Sequence, residues 1–149
     1  MAPALAQTSA APPPVPYGPS INIETSKKVA AAAVAEARRA GFTMAIAIVD
    51  PAGDMVYFEK MDNTQAASVA IALDKARSSA RFKRPTKAMQ DILAAGGEGM
   101  RFLALQGAIP VEGGIPIMMD GKIVGAIGAS GGSAEQDGQT ARAGASAVK

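Results

Sequence analysis

The 149-residue chain contains neither cysteine nor histidine. Without thiols there is no disulfide, no thiolate nucleophile, no zinc–sulfur site and no cysteine-bound cluster. Without imidazole the usual general base near neutral pH, the usual metal ligand and the usual haem axial ligand are missing too. Acid–base chemistry is left to carboxylates, lysines, tyrosines or water. Aromatic residues are only 4% of the chain, and 15 basic against 13 acidic residues leave a net charge of +2. That is too little ring surface and too little charge for a nucleic-acid groove. No apolar run reaches the roughly 18 residues of a membrane-spanning helix.

One end of the chain lacks charge altogether. Residues 1–20, MAPALAQTSAAPPPVPYGPS, carry no ionised side chain and hold six of the ten prolines. They are expected to form a flexible, extended tail, which leaves residues 21–149 as one domain of a size that buries its own core. Ala4-Leu5-Ala6 has the small-x-small form of a signal-peptidase site, although the basic and apolar regions that precede such sites are absent. A periplasmic or secreted protein is therefore one expectation and a cytoplasmic one the other.

The patterned part begins at Asn22, an N-cap for an alanine-rich helix over 23–40, with Glu24 in its first turn, Arg38 and Arg39 in its last and Gly41 as the stop. FTMAIAIV (42–49) is continuously apolar and short, as in a strand buried on both faces. DPAGD turns the chain into MVYFEK (55–60). Asp62, Asn63 and Thr64 offer caps for a second helix over 65–82 whose buried stripe would be Val69, Leu73, Ala76 and Ala80. Pro85 breaks the run, a short helix follows over 86–95, and 96–104 reads as a loop.

The stretch 109–132, IPVEGGIPIMMDGKIVGAIGASGG, has seven glycines but fits neither the dinucleotide fingerprint nor the lysine-terminated phosphate loop. Asp120-Gly121 is a strong hairpin turn signal between strands 115–119 and 122–130. Gly125 and Gly128 have opposite parity, so each opens a gap on a different face of the second strand. A last helix is expected near 134–147.

Several side chains are candidates for chemistry. Glu112 precedes Gly113 and Gly114, whose backbone N–H groups are open to a ligand, as in an anion-binding turn; an outward Glu in a plain turn is the alternative. Lys75 has small or apolar helical neighbours, so it either points into a pocket as a base or nucleophile or snorkels to the surface. Arg81, Arg84 and Lys87 continue the basic run and could pair with a ligand's carboxylates, or simply form a solvated face. Of the possible iron ligands, Tyr57 is a packing residue by position, Tyr17 lies in the tail, and the methionines read as core.

Taken in order, IAIVDPAGDMVYFEKMD, ALDKARSSARFKRPTKA, IPVEGGIPIMMDGKIVGAIGASGG and EQDGQTARAG resemble the blocks of the GlcG/HbpS-like family of haem-binding or haem-degrading proteins. The resemblance covers about residues 21–148. It implies a profilin-like α/β/α sandwich of the α+β class, with one antiparallel sheet of about five strands and helices on both faces, assembled as a homo-oligomer. It also implies haem as a possible ligand, although the absence of histidine rules out imidazole ligation of its iron here. No other metal is indicated.

Three readings of function follow. One is a protein that binds haem or another flat anionic ligand. Another is an enzyme acting on a small carboxylate-bearing metabolite, with Glu112 as acid or base and Lys75 or Arg84 as its electrostatic partner. An interaction module without chemistry is a third.

Overall fold

Asn22 opens the first helix, α1 (Ile23–Ala40), by accepting the Thr25 N–H on its side chain at 2.8 Å, and Gly41 closes it in the left-handed conformation at φ 80°. The computed structural model describes residues 13–149. After α1 come β1 (Ala45–Val49), β2 (Met55–Lys60), α2 (Ser68–Phe82), α3 (Thr86–Ala94), β3 (Gly114–Met119), β4 (Lys122–Ser130) and α4 (Ala134–Ala145). Residues 97–103, expected as a loop, wind into a 3-10 helix.

The strands form one antiparallel sheet in the order β2-β1-β4-β3. Among the described residues it has four strands where about five were expected. The place of a fifth is taken by a single parallel bridge between Tyr17 and Ile123. There Gly18 donates its N–H to the Ile123 carbonyl and Ile123 donates to the Pro16 carbonyl, both at 2.9 Å.

That bridge also corrects the boundary of the tail. The Tyr17 hydroxyl donates to the Ala80 carbonyl at 2.7 Å, and Lys83 sits 4.4 Å from the ring centroid while donating to the Val15 carbonyl. Packed structure therefore begins several residues before 21, because a phenol offers both a donor and a ring face to the end of α2. Ala4-Leu5-Ala6 lies outside the described residues.

The strict alternation of β1 divides the core. Ile46 and Ile48, with Ile117 and Ile127, pack under α1 and α4. Ala45, Ala47, Val49 and Ala126 face Ala72, Ala76 and Ala80 of α2. Helices thus cover both faces of the sheet.

The stripe on α2 differs from the expected one. Ser68, Ala72, Lys75, Ala76 and Ser79 are buried, whereas Val69 is 39% exposed. A sheet face built from alanine and Gly128 admits only small side chains, so the helix turns its alanines inward and leaves the valine outside. Nor do the expected caps start α2. Asn63 is in the left-handed region at φ 64°, Thr64 donates its hydroxyl to the Met61 carbonyl, and the N-cap is Ala67 with no side-chain bond.

On the other face Glu36 ties α1 to α4. It accepts from Arg39 on its own helix and from the Gln139 amide at 2.7 Å. Those hydrogen bonds, with Arg39 the stronger contributor, lower its pKa from 4.5 to about 2. A depressed carboxylate stabilises the fold above its unfolded pKa, and that contribution is lost as pH falls through the folded value. Urea midpoints should therefore fall between pH 5 and pH 2.5 by less in Glu36→Gln than in the parent protein. An equal fall in both would show that this contact carries no part of the acid response.

Candidate functional site

Lys75 is 1% exposed, the largest side chain in the core with less than 2% of its surface accessible. Its Nζ donates to Asp137 Oδ2 at 2.7 Å and to the Ala129 carbonyl at 3.3 Å. The other oxygen of Asp137, Oδ1, accepts the N–H groups of Gly131 and Gly132 at 3.1 and 2.9 Å. Burial pushes the Asp137 carboxyl above its ordinary range, opposed by the Lys75 ammonium and those two N–H groups. A fully buried ion pair is tolerated only with further hydrogen bonds around it, and among the described residues no buried side-chain nitrogen or oxygen is left without a partner.

Above this pair sits a second one. Glu112 is 6% exposed, and its Oε1 accepts from Arg142 Nη1 at 2.8 Å. Its own N–H donates to Gln90 Oε1 at 2.7 Å. The carboxylate lies against the backbone of α4 at Gly138, where any Cβ would meet it. Gly138 and Arg142 are one helical turn apart, so the notch and the donor share a face. Glu112 and Arg142, with Lys87, Gln90, Ser133, Ala134 and Glu135, line an open cleft of ≈ 680 Å³.

The expected residues are thus only partly brought together. Glu112 and Lys87 line the cleft, Lys87 also pairing with Asp91 at 2.9 Å. Lys75 does not line it: its Nζ is buried against Asp137 and the Ala129 carbonyl.

Gly113 and Gly114 are both closely packed. A Cβ on Gly113, which sits at φ +133°, would lie 2.8 Å from Lys75 Nζ, and the Gly114 N–H is taken by the Thr86 hydroxyl at 2.8 Å. Arg81 and Arg84 are elsewhere. Arg81 clasps the β1–β2 turn through the Ala52 carbonyl at 2.8 Å, and Arg84 bonds the Phe82 carbonyl.

Neither phenol reaches the cleft as an iron ligand. A hydrogen bond to Glu59 raises the Tyr57 pKa, and burial raises that of Tyr17, so both resist forming tyrosinate. Sequence reasoning missed Arg142 and Asp137, which look like ordinary charged residues on a polar helix. The available signal was Gly138 beside them, since glycine inside a helix costs roughly 1 kcal/mol relative to alanine and so marks a close approach.

Gly138→Ala separates fold from site. The atoms in the way of its Cβ are the tip of the Glu112 side chain, which can swing outward. The variant should be as stable as the parent or gain up to about 1 kcal/mol of helix propensity, while losing the Glu112–Arg142 hydrogen bond. Urea unfolding together with a crystal structure checks both halves. Retention of that bond would refute the notch.

Fold and site together define a small α/β/α domain with an open, charged cleft between the last helix and the turn before β3. A family model described as "Haem degrading protein HbpS-like" matches residues 21–146, and the chain belongs to that family. Protein GlcG of Escherichia coli K12 is 30% identical over 107 residues, spanning 72% of this chain and 78% of GlcG. A double mutant of Streptomyces reticuli HbpS is similar in structure with a TM-score of 0.81 at 28% identity, covering 99% of each chain. PduOC, solved as a haem complex, shares the fold with a TM-score of 0.78 at 24% identity over 87% of this chain and 96% of its own.

Proposed function

We propose that the protein binds haem or a similarly flat, anionic ligand at the Glu112–Arg142 cleft. The observation that carries this reading is the pairing of two cations, Lys87 and Arg142, on one open cleft of ≈ 680 Å³, within the range of pockets that hold cofactor-sized ligands. Membership of the HbpS-like family supports it.

The residues fit the ligand's carboxylates better than its iron. Arg142 offers a planar fork for a propionate and Lys87 a second, mobile charge. Among the described residues no three of His, Cys, Asp and Glu gather as a metal site. Glu112 and Glu135 supply only carboxylate oxygens, so recognition rests on the ring's acidic edge and tolerates metal-free porphyrin. Six of the seven residues lining the cleft are polar or charged, so the faces of a porphyrin would be covered by a second copy of the chain. Exposed Val111, Met100 and Leu103 lie on the segments around it. Light scattering tests that assembly, and a 15 kDa species at tens of micromolar would remove it.

Titration of haem and of metal-free porphyrin, followed at the Soret band, should show saturable binding of both at micromolar concentrations. Arg142→Ala should weaken each by about tenfold, the loss of one charge-assisted hydrogen bond. No saturable shift with either would end the proposal.

A second reading keeps the same cleft but makes it an active site for a small carboxylate-bearing metabolite. It is favoured by Glu112, the one nearly buried carboxylate in the lining. Arg142 and Lys87 take the electrostatic role given above to Lys75 or Arg84. Glu112→Gln should then abolish turnover while leaving porphyrin affinity nearly unchanged.

A further inference from the structure

The buried ion pair under the cleft does something that the cleft itself does not explain. Ion pairs this deep are often replaced by apolar residues at no loss of stability, so stability alone is a poor reason for its presence in a core made mainly of apolar side chains. Its connections are more telling. Lys75 comes from α2; Asp137 from the first turn of α4; the Ala129 carbonyl and the Gly131 and Gly132 N–H groups from the end of β4. Gly113 passes so close to Lys75 Nζ that an added Cβ would lie 2.8 Å from it, and β4 is hydrogen-bonded there, with the Ala129 N–H donating to the Gly113 carbonyl at 2.9 Å.

The lower pair thus meets the upper site at two points of the chain. Gly113, packed close to Lys75 Nζ, directly follows Glu112. Asp137 is bonded to Gly138, which forms the notch for the Glu112 carboxylate. We infer that Lys75 and Asp137 form a positioning pair, which fixes the turn carrying Glu112 against the face of α4 carrying Gly138 and Arg142 and thereby sets the geometry of the cleft without touching its ligand. The inference rests on reading that cleft as the ligand site.

The geometry explains why two full charges suit this task. An apolar contact is non-directional and would let the turn slide along α4. A carboxylate that divides its two oxygens between an ammonium and two backbone N–H groups fixes both position and orientation. One α4 carboxylate thus sets where β4 ends, and one α2 ammonium sets where the turn before β3 lies.

The test replaces both partners at once, as Lys75→Met with Asp137→Leu, which removes the charges while roughly keeping the volume. This double variant should unfold cooperatively at a urea midpoint close to that of the parent. The 13C carboxyl resonance of Glu112, assigned by its loss in Glu112→Gln, should move to its position in Arg142→Ala, where the upper pair is broken directly. Affinity for metal-free porphyrin should fall by about tenfold, at unchanged stability.

A Glu112 resonance left at its parent position in the folded double variant overturns the inference. If the parent itself binds no porphyrin, the cleft reading fails, and the resonance still decides the positioning role. Should the double variant not fold, Asp137→Asn takes its place. Its amide can serve either Lys75 or the two glycine N–H groups but not both sets, so the same resonance should shift, and an unmoved one again overturns the inference.

Discussion

Lys75→Met made alone should cost about 3–5 kcal/mol of unfolding free energy, the range for removing one partner of a buried ion pair. The reason is what stays behind. Asp137 keeps its burial and its two glycine N–H donors but loses the ammonium that neutralises it. For a chain of this length the loss corresponds to a fall in melting temperature of about 10 °C.

The pH dependence identifies the cause. Burial raises the Asp137 pKa, with Lys75 the leading opposing influence, so removing Lys75 raises it further. A carboxyl whose folded pKa lies above its unfolded value favours the fold when protonated and penalises it once ionised. The variant's deficit should therefore be largest near neutral pH and shrink as pH falls towards the ordinary carboxyl range. Calorimetry of parent and variant across pH 4–7 measures this. A deficit below about 1 kcal/mol at pH 7, or one that does not change with pH, would show that the lysine is not the charge partner on which the buried carboxylate depends.

Gly128→Ala should be the other severe substitution, costing about 3 kcal/mol or more. Its added Cβ would meet the Ala72 carbonyl, lie 2.6 Å from the Ala76 nitrogen and come within 3.0 Å of the Ala76 Cβ. The two nearest are backbone atoms of a helix that packs across β1, β3 and β4. They cannot swing aside as Glu112 can from Gly138, so α2 must rise off the sheet as a body and surrender contacts along its length. Urea unfolding at pH 7 decides this, and a midpoint within experimental error of the parent would mean that the helix does not lie as close as its alanines indicate.

Much of this fold was legible because its signals are local. Asn22 and Gly41 bound α1 by capping chemistry that needs no tertiary information. Asp120-Gly121 sets the β3–β4 hairpin, and the opposite parity of Gly125 and Gly128 does open both faces of β4: Gly125 towards Ile21, Gly128 towards α2. The stripe on α2 was misread because hydrophobic periodicity gives weight to large side chains. Against a face of alanine and glycine, size outweighs hydrophobicity: Ala72 turns inward and Val69 outward, Leu73 is only partly buried, and Ala76 and Ala80 are buried as expected.

The site was half legible for a similar reason. Glu112 stands out beside its two glycines and Lys75 beside its small neighbours. Their partners Arg142 and Asp137, however, lie far along the chain, and which acid meets which base is decided by the packing of α4 rather than by spacing. Arg81 and Arg84 belong to the same basic run as Lys87, yet the break at Pro85 sends them to the opposite side of that junction, where they bond backbone carbonyls.

The sheet order also carries a kinetic consequence. β1, buried on both faces, has β2 beside it as soon as the hairpin closes, but its other edge waits for β4, with Ala45 opposite Ser130 and Val49 opposite Ala126. The Tyr17 bridge waits for the same strand. Pairings this remote in sequence must meet their loop-closure entropy before any contact rewards it, which slows folding. On the ribosome the first half of the chain can therefore make helix α1 and one hairpin but no complete core, and the domain folds only when nearly all of it has emerged. A nascent chain arrested before residue 120 should accordingly remain open to protease along β1, and one arrested with residue 145 clear of the exit tunnel should be protected.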